Sequence, residues 1–394
     1  MPSAWFFGVP GLVMTLGLAF APVVTGLTLV GLAGVDPDLE EAARMVAGPF
    51  RVVTRILLPL AWPAVAFSAL VVFALALSEV GVPMFLRVRT YSAAVFSRLG
   101  GIRYAPGEAV VLVLPLLAVA GVLLVLERWA IGRRSFASLG LRSGGEESFA
   151  LGAWRVPVGL GVWGVCILSV APLVGLGLAA YPSGFRSAWS WLGASVETGV
   201  SVAFGAATVI TVLGLVLGHR LARRGAPLAD GAAMWAFVTP AAVLGVGLVE
   251  TWNRPGLQRV YTSAAILVLG LAARYGVVGV RTVAAVAART SVAYEEAAEA
   301  FGAGYLRRLV RVFVPMHARG IVAAWVLAAV FCLRDLETVV IFYPPGLETL
   351  PVRIFTLEAN GPGPVVAALA LVHVGVTAGL LVVGWLGLGG RSKA

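Results

Sequence analysis

Of 394 residues, 60% are hydrophobic and only 12% charged, with a mean hydropathy of +0.96. A soluble domain runs near ~25% charged, so the shortfall excludes a coiled coil, a disordered chain and a conventional soluble enzyme, and two Cys exclude a disulfide scaffold. The composition is that of an all-α polytopic membrane protein. Lys393 is the one lysine and is followed by Ala394, so no Gly-Lys-Ser/Thr phosphate loop exists and the chain carries no ATPase site of its own. The net charge of +10 reads as cytoplasmic loops under the positive-inside bias, not as a nucleic-acid surface.

A bilayer core needs about 20 largely apolar residues per helix. Met1–Val35 is free of charge and lacks the basic start of a signal peptide, which predicts a span near 8–33. Further windows predict spans near 60–84, 108–126, 156–180, 197–218, 230–250, 262–282, 318–342 and 364–388, nine in all. With the segment after the first span inside, 19 basic residues fall inside and eight outside, while Arg274 and Arg334 stay within spans. That split predicts an outer N-terminus and a cytoplasmic C-terminus, with the loop 85–107 and its four Arg as the weak point.

Two predicted cytoplasmic segments are alike. Asp38-Leu-Glu-Glu-Ala-Ala-Arg44, Gly48 and Ile56-Leu-Leu-Pro59 parallel Tyr294-Glu-Glu-Ala-Ala-Glu-Ala-Phe-Gly302 and Val312-Phe-Val-Pro315. An acidic residue lies 20 positions after each Pro (Glu79, Asp335), and Thr90 and Phe96 repeat the spacing of Thr349 and Phe355. Matches at nearly one offset, about 256 residues, imply two homologous units. The expected division is 1–130 (three spans, loop 38–59), a polar cytoplasmic linker 131–155, and 156–394 (six spans, loop 284–317). The first unit matches the last three spans of the second and so looks cut short at its N-terminus. A mis-set start codon, a split gene and a natural truncation stay open.

Each repeated segment reads as a short helix turning into a span. Glu40, Glu41, Glu295 and Glu296 sit near helix starts, where carboxylates suit the dipole. Ala42, Ala43, Ala297 and Ala298 form a small-residue face, Gly302 permits a tight bend, and Pro59 and Pro315 are tolerated as the next helix begins. Two copies in equivalent places favour a docking helix over an ordinary charged loop.

These residues resemble permease subunits of binding-protein-dependent ABC importers, which carry a cytoplasmic E-A-A-x3-G-x9-I-x-L-P motif. The second copy fits it with Glu296, Ala297, Ala298, Gly302, Val312, Val314 and Pro315. The first fits at Ile56, Leu58 and Pro59, but Glu41 to Pro59 is one residue short and Ala47 takes the Gly position beside Gly48. The resemblance implies that Glu40, Glu41, Ala42, Ala43, Gly48, Pro59, Glu295, Glu296, Ala297, Ala298, Gly302 and Pro315 couple to a separate dimer of ATPase subunits. ATP and Mg would then sit on that partner, with no cofactor in this chain. It further implies an inner-membrane location and a periplasmic or lipid-anchored substrate-binding protein as second partner. Two motifs in one chain resemble the fused permeases of the ferric-iron and thiamine branches. Leu77-Ser-Glu-Val-Gly-Val-Pro83, Arg334-Asp-Leu-Glu337 and the loop Tyr343–Arg353 favour ferric iron as cargo.

Ionisable groups inside spans are costly and face protein or water. Glu79, Arg274, Arg334, Asp335 and Glu337 therefore line the translocation path or form a structural ion pair, such as Arg334 with Asp335 or Glu337, or Arg274 across the bundle. His219, His317 and His373 share no ligand spacing, so no metal site is expected, and Cys166 and Cys332 read as packing residues. A secondary transporter with the acids as proton sites is the competing class. It leaves the paired cytoplasmic motif without a purpose.

Overall fold

The computed structural model describes residues 6–32, 41–43, 45, 47–100, 106–131, 154–288 and 290–389. Glu40 and nearly all of the linker lie outside the described residues. Every regular element among the described residues is helical. In chain order they are α1 (Val9–Leu32), α2 (Leu58–Ser78), α3 (Tyr91–Gly100), α4 (Pro106–Ile131), α5 (Arg155–Ala180), α6 (Ser183–Leu192) and α7 (Ser195–Leu213). They continue with α8 (Pro227–Val238), α9 (Ala241–Trp252), α10 (Ala264–Ala288), α11 (Ala293–Ala300), α12 (Ala318–Leu333), α13 (Leu350–Asn360) and α14 (Gly363–Gly389).

All nine predicted windows are helical, but not all are straight. Five helices are long and apolar enough to cross a membrane alone: α1, α5, α7 with its extension to Arg224, α10 and α14. The windows 60–84, 230–250 and 318–342 fall in sharply bent helix pairs, each a broken span or a re-entrant loop, and the 108–126 window holds a shorter apolar helix, Val111–Leu126. The 230–250 window bends by 105° between α8 and α9. Pro240 causes this: it disfavours helical backbone at Thr239, which turns extended at φ −62°, ψ 125°, while the Thr239 hydroxyl donates back to the Trp235 carbonyl at 2.7 Å. At 12 residues, each of α8 and α9 is too short to span alone. Tyr305–Met316 and α12 meet at 87°, and Phe50–Trp62 and Ala64–Ser78 at 58°.

The two prolines after the repeated segments share one solution. A five-residue π-turn, Val53–Leu57 or Leu309–Phe313, comes immediately before Leu58-Pro59 or Val314-Pro315. Proline lacks an N–H and its ring crowds the carbonyl four residues back; a wider turn relieves both.

The core is centred on α7 and α10. Ala203, Ala206, Ala207 and Ile210 are sealed against Ile266, Leu267 and Leu271. A third π-turn, Gly214–Gly218, continues α7 and brings its backbone onto α10. A Cβ on Gly214 would stand 2.6 Å from the Gly279 carbonyl, and one on Gly218 would stand 2.3 Å from the Val280 oxygen. Only glycine permits that approach, as in small-residue helix interfaces within membranes. By contrast α5 exposes Leu160, Trp163 and Ile167, an apolar surface suited to lipid.

Candidate functional site: a docking helix and an intramembrane charge cluster

The second repeated segment forms α11, an eight-residue helix. Alanines favour it, and Glu295 and Glu296 complement the dipole in its first turn. It ends in a Schellman-type cap: Gly302 takes φ +81°, and the Ala303 N–H donates to the Ala298 carbonyl at 3.0 Å. The adjacent acids face opposite ways. Glu295 is buried and accepts from His219 Nε2 at 2.8 Å and Arg223 Nε at 2.9 Å. Arg223 Nη1 also donates to the Thr290 carbonyl at 2.9 Å. Burial pushes the Glu295 carboxyl up, but hydrogen bonds from His219 and Arg223 outweigh it and hold the pKa below the ordinary carboxylate range. Glu296 and Ala297 are exposed, Ala298 is half-buried, and Glu299 pairs with Arg308. Phe301 is 93% exposed, with Tyr294 and Leu306 exposed beside it.

In the first segment, Glu41, Ala42 and Ala43 are helical; Glu41 and Ala42 are exposed and Ala43 is buried. Gly48 is exposed with open space about it, and Met45 and Phe50 are exposed apolar groups, Phe50 stacking on Trp154 at 5.6 Å. Pro59 and Pro315 stand in the first turn of the helices after their π-turns.

The other end of α2 and of α12 carries the second constellation. Asp335 accepts from the N–H groups of Thr338 (2.9 Å) and Val339 (3.2 Å), and so caps the short helix Val339–Phe342. Its Oδ2 also accepts from Thr338 Oγ1 at 2.9 Å and the Tyr275 hydroxyl at 2.8 Å. Glu79 does the corresponding work in the first half, accepting from the Val82 N–H at 3.1 Å in the short helix Gly81–Phe85. Arg274, 1% exposed, donates to Glu337 Oε2 at 2.8 Å, and its Nε lies 3.6 Å from Asp335 Oδ2. Glu79 meets Glu337. Phe96 and Phe355, equivalent in the repeat spacing, pack edge to face at 5.8 Å.

A cavity of about 350 Å³ opens beside this cluster, lined by Glu79, Tyr275, Arg334, Asp335, Glu337 and His373 among others. The structure therefore brings four predicted residues together: Glu79, Arg274, Asp335 and Glu337. The fifth, Arg334, is exposed and lines the same cavity, while the guanidinium paired with the acids is that of Arg274. No cluster of three metal-ligating side chains occurs among the described residues.

Sequence reading missed His219, Arg223, Tyr275 and Thr338 as partners. One signal was available: His219 and Arg223 stand at i and i+4 and so share a helix face. Nothing in the sequence told which of Glu295 and Glu296 turns inward.

Helices of this apolar length and the bent pairs among them define an all-α polytopic membrane bundle. Residues 1–88 match the family model described as binding-protein-dependent transport system inner membrane component. The chain is similar to the putative 2-aminoethylphosphonate transport system permease protein PhnV of Salmonella paratyphi A, with 32% identity over 35% of this chain and 52% of that one. It is similar to the ferric transport system permease protein FbpB of Actinobacillus pleuropneumoniae, with 21% identity over 97% of this chain and 59% of that one. It is also similar to the spermidine/putrescine transport system permease protein PotC of Haemophilus influenzae, with 26% identity over 48% and 73%. The chain spans about half the length of the first of these.

Proposed function

We propose that this chain is the transmembrane permease of an ABC importer that moves ferric iron, delivered by a periplasmic or lipid-anchored binding protein. A separate pair of ATPase subunits drives it by docking on α11 and on the segment 41–57. The observation that carries the docking reading is α11 itself: a capped helix fastened by its inner acid, with Phe301 93% exposed on its outer side. An aromatic held so rigidly in water is suited to fill a partner's pocket.

The orientation follows from the same elements. α2 and α12 each begin at a repeated segment, and their far ends meet through Glu79 and Glu337. Both segments therefore start from one side of the bundle, and the surplus of Arg makes that side cytoplasmic. In this reading the N-terminus lies outside and the C-terminus inside, and residues 1–130 and 156–394 form two homologous units.

Ferric iron is supported by the ferric permease similarity along nearly the whole chain and by the three carboxylates about the cavity, which suit a hard cation better than a phosphonate. Thiamine, also a cation, is the second cargo. Two measurements test the proposal. Phe301→Asp and Glu296→Arg should abolish co-purification of the ATPase subunit while the permease still elutes as a folded species. Reconstituted vesicles with a loaded binding protein should take up radioactive iron in an ATP-dependent way; uptake without ATP would return the case to a secondary transporter.

A further inference from the structure

We infer that Glu295 is a positioning residue that fastens the docking helix to the cytoplasmic end of α7. Motion of α11 is thereby handed to α7 and α10, and along α10 to the intramembrane charge cluster. The inference rests on the docking reading of α11.

Three observations carry it. First, Glu295 is the one buried residue of α11, while its neighbours along the helix are exposed or half-buried. Its carboxylate is held by two donors from residues 72 and 76 positions earlier. Charge-assisted hydrogen bonds of this kind are the strong ones. His219 in turn stands edge-on to Phe313 at 5.0 Å and Tyr305 at 5.6 Å, so the same ring touches the chain on the far side of Gly302. The covalent route from α11 to α12 instead passes through a positive-φ glycine, a π-turn and an 87° bend at His317, a series of compliant joints.

Second, the helix that receives the clamp has no slack against its neighbour. His219 directly follows the π-turn whose Gly214 and Gly218 lie backbone to backbone on Gly279 and Val280 of α10. A contact without intervening side chains transmits displacement and does not absorb it. Third, α10 is one unbroken helix of 25 residues, and it carries Arg274 and Tyr275 one to two turns from that contact. Those two side chains hold Glu337 and Asp335, which cap and border the cavity.

The native thiols give a test in the full complex with its ATPase. Cys166 is exposed and is first replaced by Ser. Cys332, 4% exposed and three residues before Asp335, then reports on the cavity end through its rate of maleimide labelling. With Mg-ATP and vanadate that rate should change in the Cys166→Ser protein. Adding Glu295→Ala should reduce the nucleotide-dependent change by about tenfold or more while the ATPase still co-purifies. Glu295→Gln, which keeps an acceptor oxygen, should restore part of it. Should the alanine variant not fold, His219→Gln carries the same test. A full response in the alanine variant overturns the inference, and so does absence of any response in the parent. Loss of the ATPase from a folded Glu295→Ala protein overturns it as well, because Glu295 would then belong to the docking surface. Failure of the docking reading is read separately, as Phe301→Asp retaining its ATPase.

Discussion

Replacing Arg274 by Met tests how the intramembrane acids are neutralised. The guanidinium is 1% exposed and serves Glu337 at 2.8 Å and Asp335 at 3.6 Å. The two acids do not lose equally. Asp335 keeps the Tyr275 hydroxyl, the Thr338 hydroxyl and the N–H groups of Thr338 and Val339. Glu337 keeps only Glu79 beside it, another carboxyl. Breaking one buried pair costs about 3–5 kcal/mol, and because Asp335 stays solvated by its own loop the lower end applies, about 3 kcal/mol. Equilibrium unfolding in mixed detergent micelles should show that loss for Arg274→Met. The double variant Arg274→Met/Glu337→Gln removes both charges and should recover most of it, leaving about 1 kcal/mol for the lost hydrogen bonds. A single variant within about 0.5 kcal/mol of the parent, or a double variant worse than the single, would refute the assignment of Arg274 as the neutralising cation.

Three further outcomes follow from separate features. Gly218→Leu or Gly279→Val puts a side chain where a Cβ already stands 2.3 Å from a backbone oxygen, so α7 and α10 must part; the same unfolding assay should show a loss of about 1–3 kcal/mol or more, whereas Gly247→Ala, in open space, should stay near the parent. Alanine at Phe96 and Phe355 should give a double-mutant coupling near about 1 kcal/mol, and independent effects would refute their meeting across the bundle. Glu295 has a depressed folded pKa, so its stabilisation is present above the ordinary carboxylate pKa of 4.5 and is lost as pH falls through the lower folded value. The gap in thermal midpoint between parent and Glu295→Gln should be constant from pH 7 to about 5 and shrink below that; a gap that widens with acid would contradict the clamp.

The spans were largely legible because charge-free runs of membrane length leave few alternatives: among the described residues eight of the nine windows match a spanning helix or a bent pair, and the 108–126 window holds a shorter apolar helix, Val111–Leu126. The breaks were less so. Pro240 sits in the middle of an apolar window, and hydropathy sums over it without registering that Thr239 must turn extended. The helix α11 was legible from the doubled Glu-Glu-Ala-Ala pattern and its end from Gly302, whose positive φ is the function of a glycine at that place. The clamp was not, since it joins residues more than 70 positions apart through one of two adjacent, chemically identical acids. Arg334 stands next to Asp335 in sequence, yet the cation paired with Asp335 and Glu337 is Arg274, more than 60 positions earlier, which sequence proximity does not reveal.

The repeat spacing also explains why one cation is shared. Glu79 and Asp335 occupy equivalent positions and cap equivalent short helices, yet by the same spacing Arg274-Tyr275 of α10 correspond to Leu18-Ala19 of α1. By that spacing no arginine stands at the position equivalent to Arg274 ahead of Glu79, and Phe20 lines the cavity instead. Glu79 lies beside Glu337, and the buried guanidinium of Arg274 faces Glu337 and Asp335. An arrangement balanced in backbone and unbalanced in charge places the cation on α10, the helix against which α7 lies backbone to backbone. A small displacement of α10 therefore alters the field at Glu79, Asp335 and Glu337 at once, whereas a separate cation beside Glu79 would leave that acid tied to its own helix.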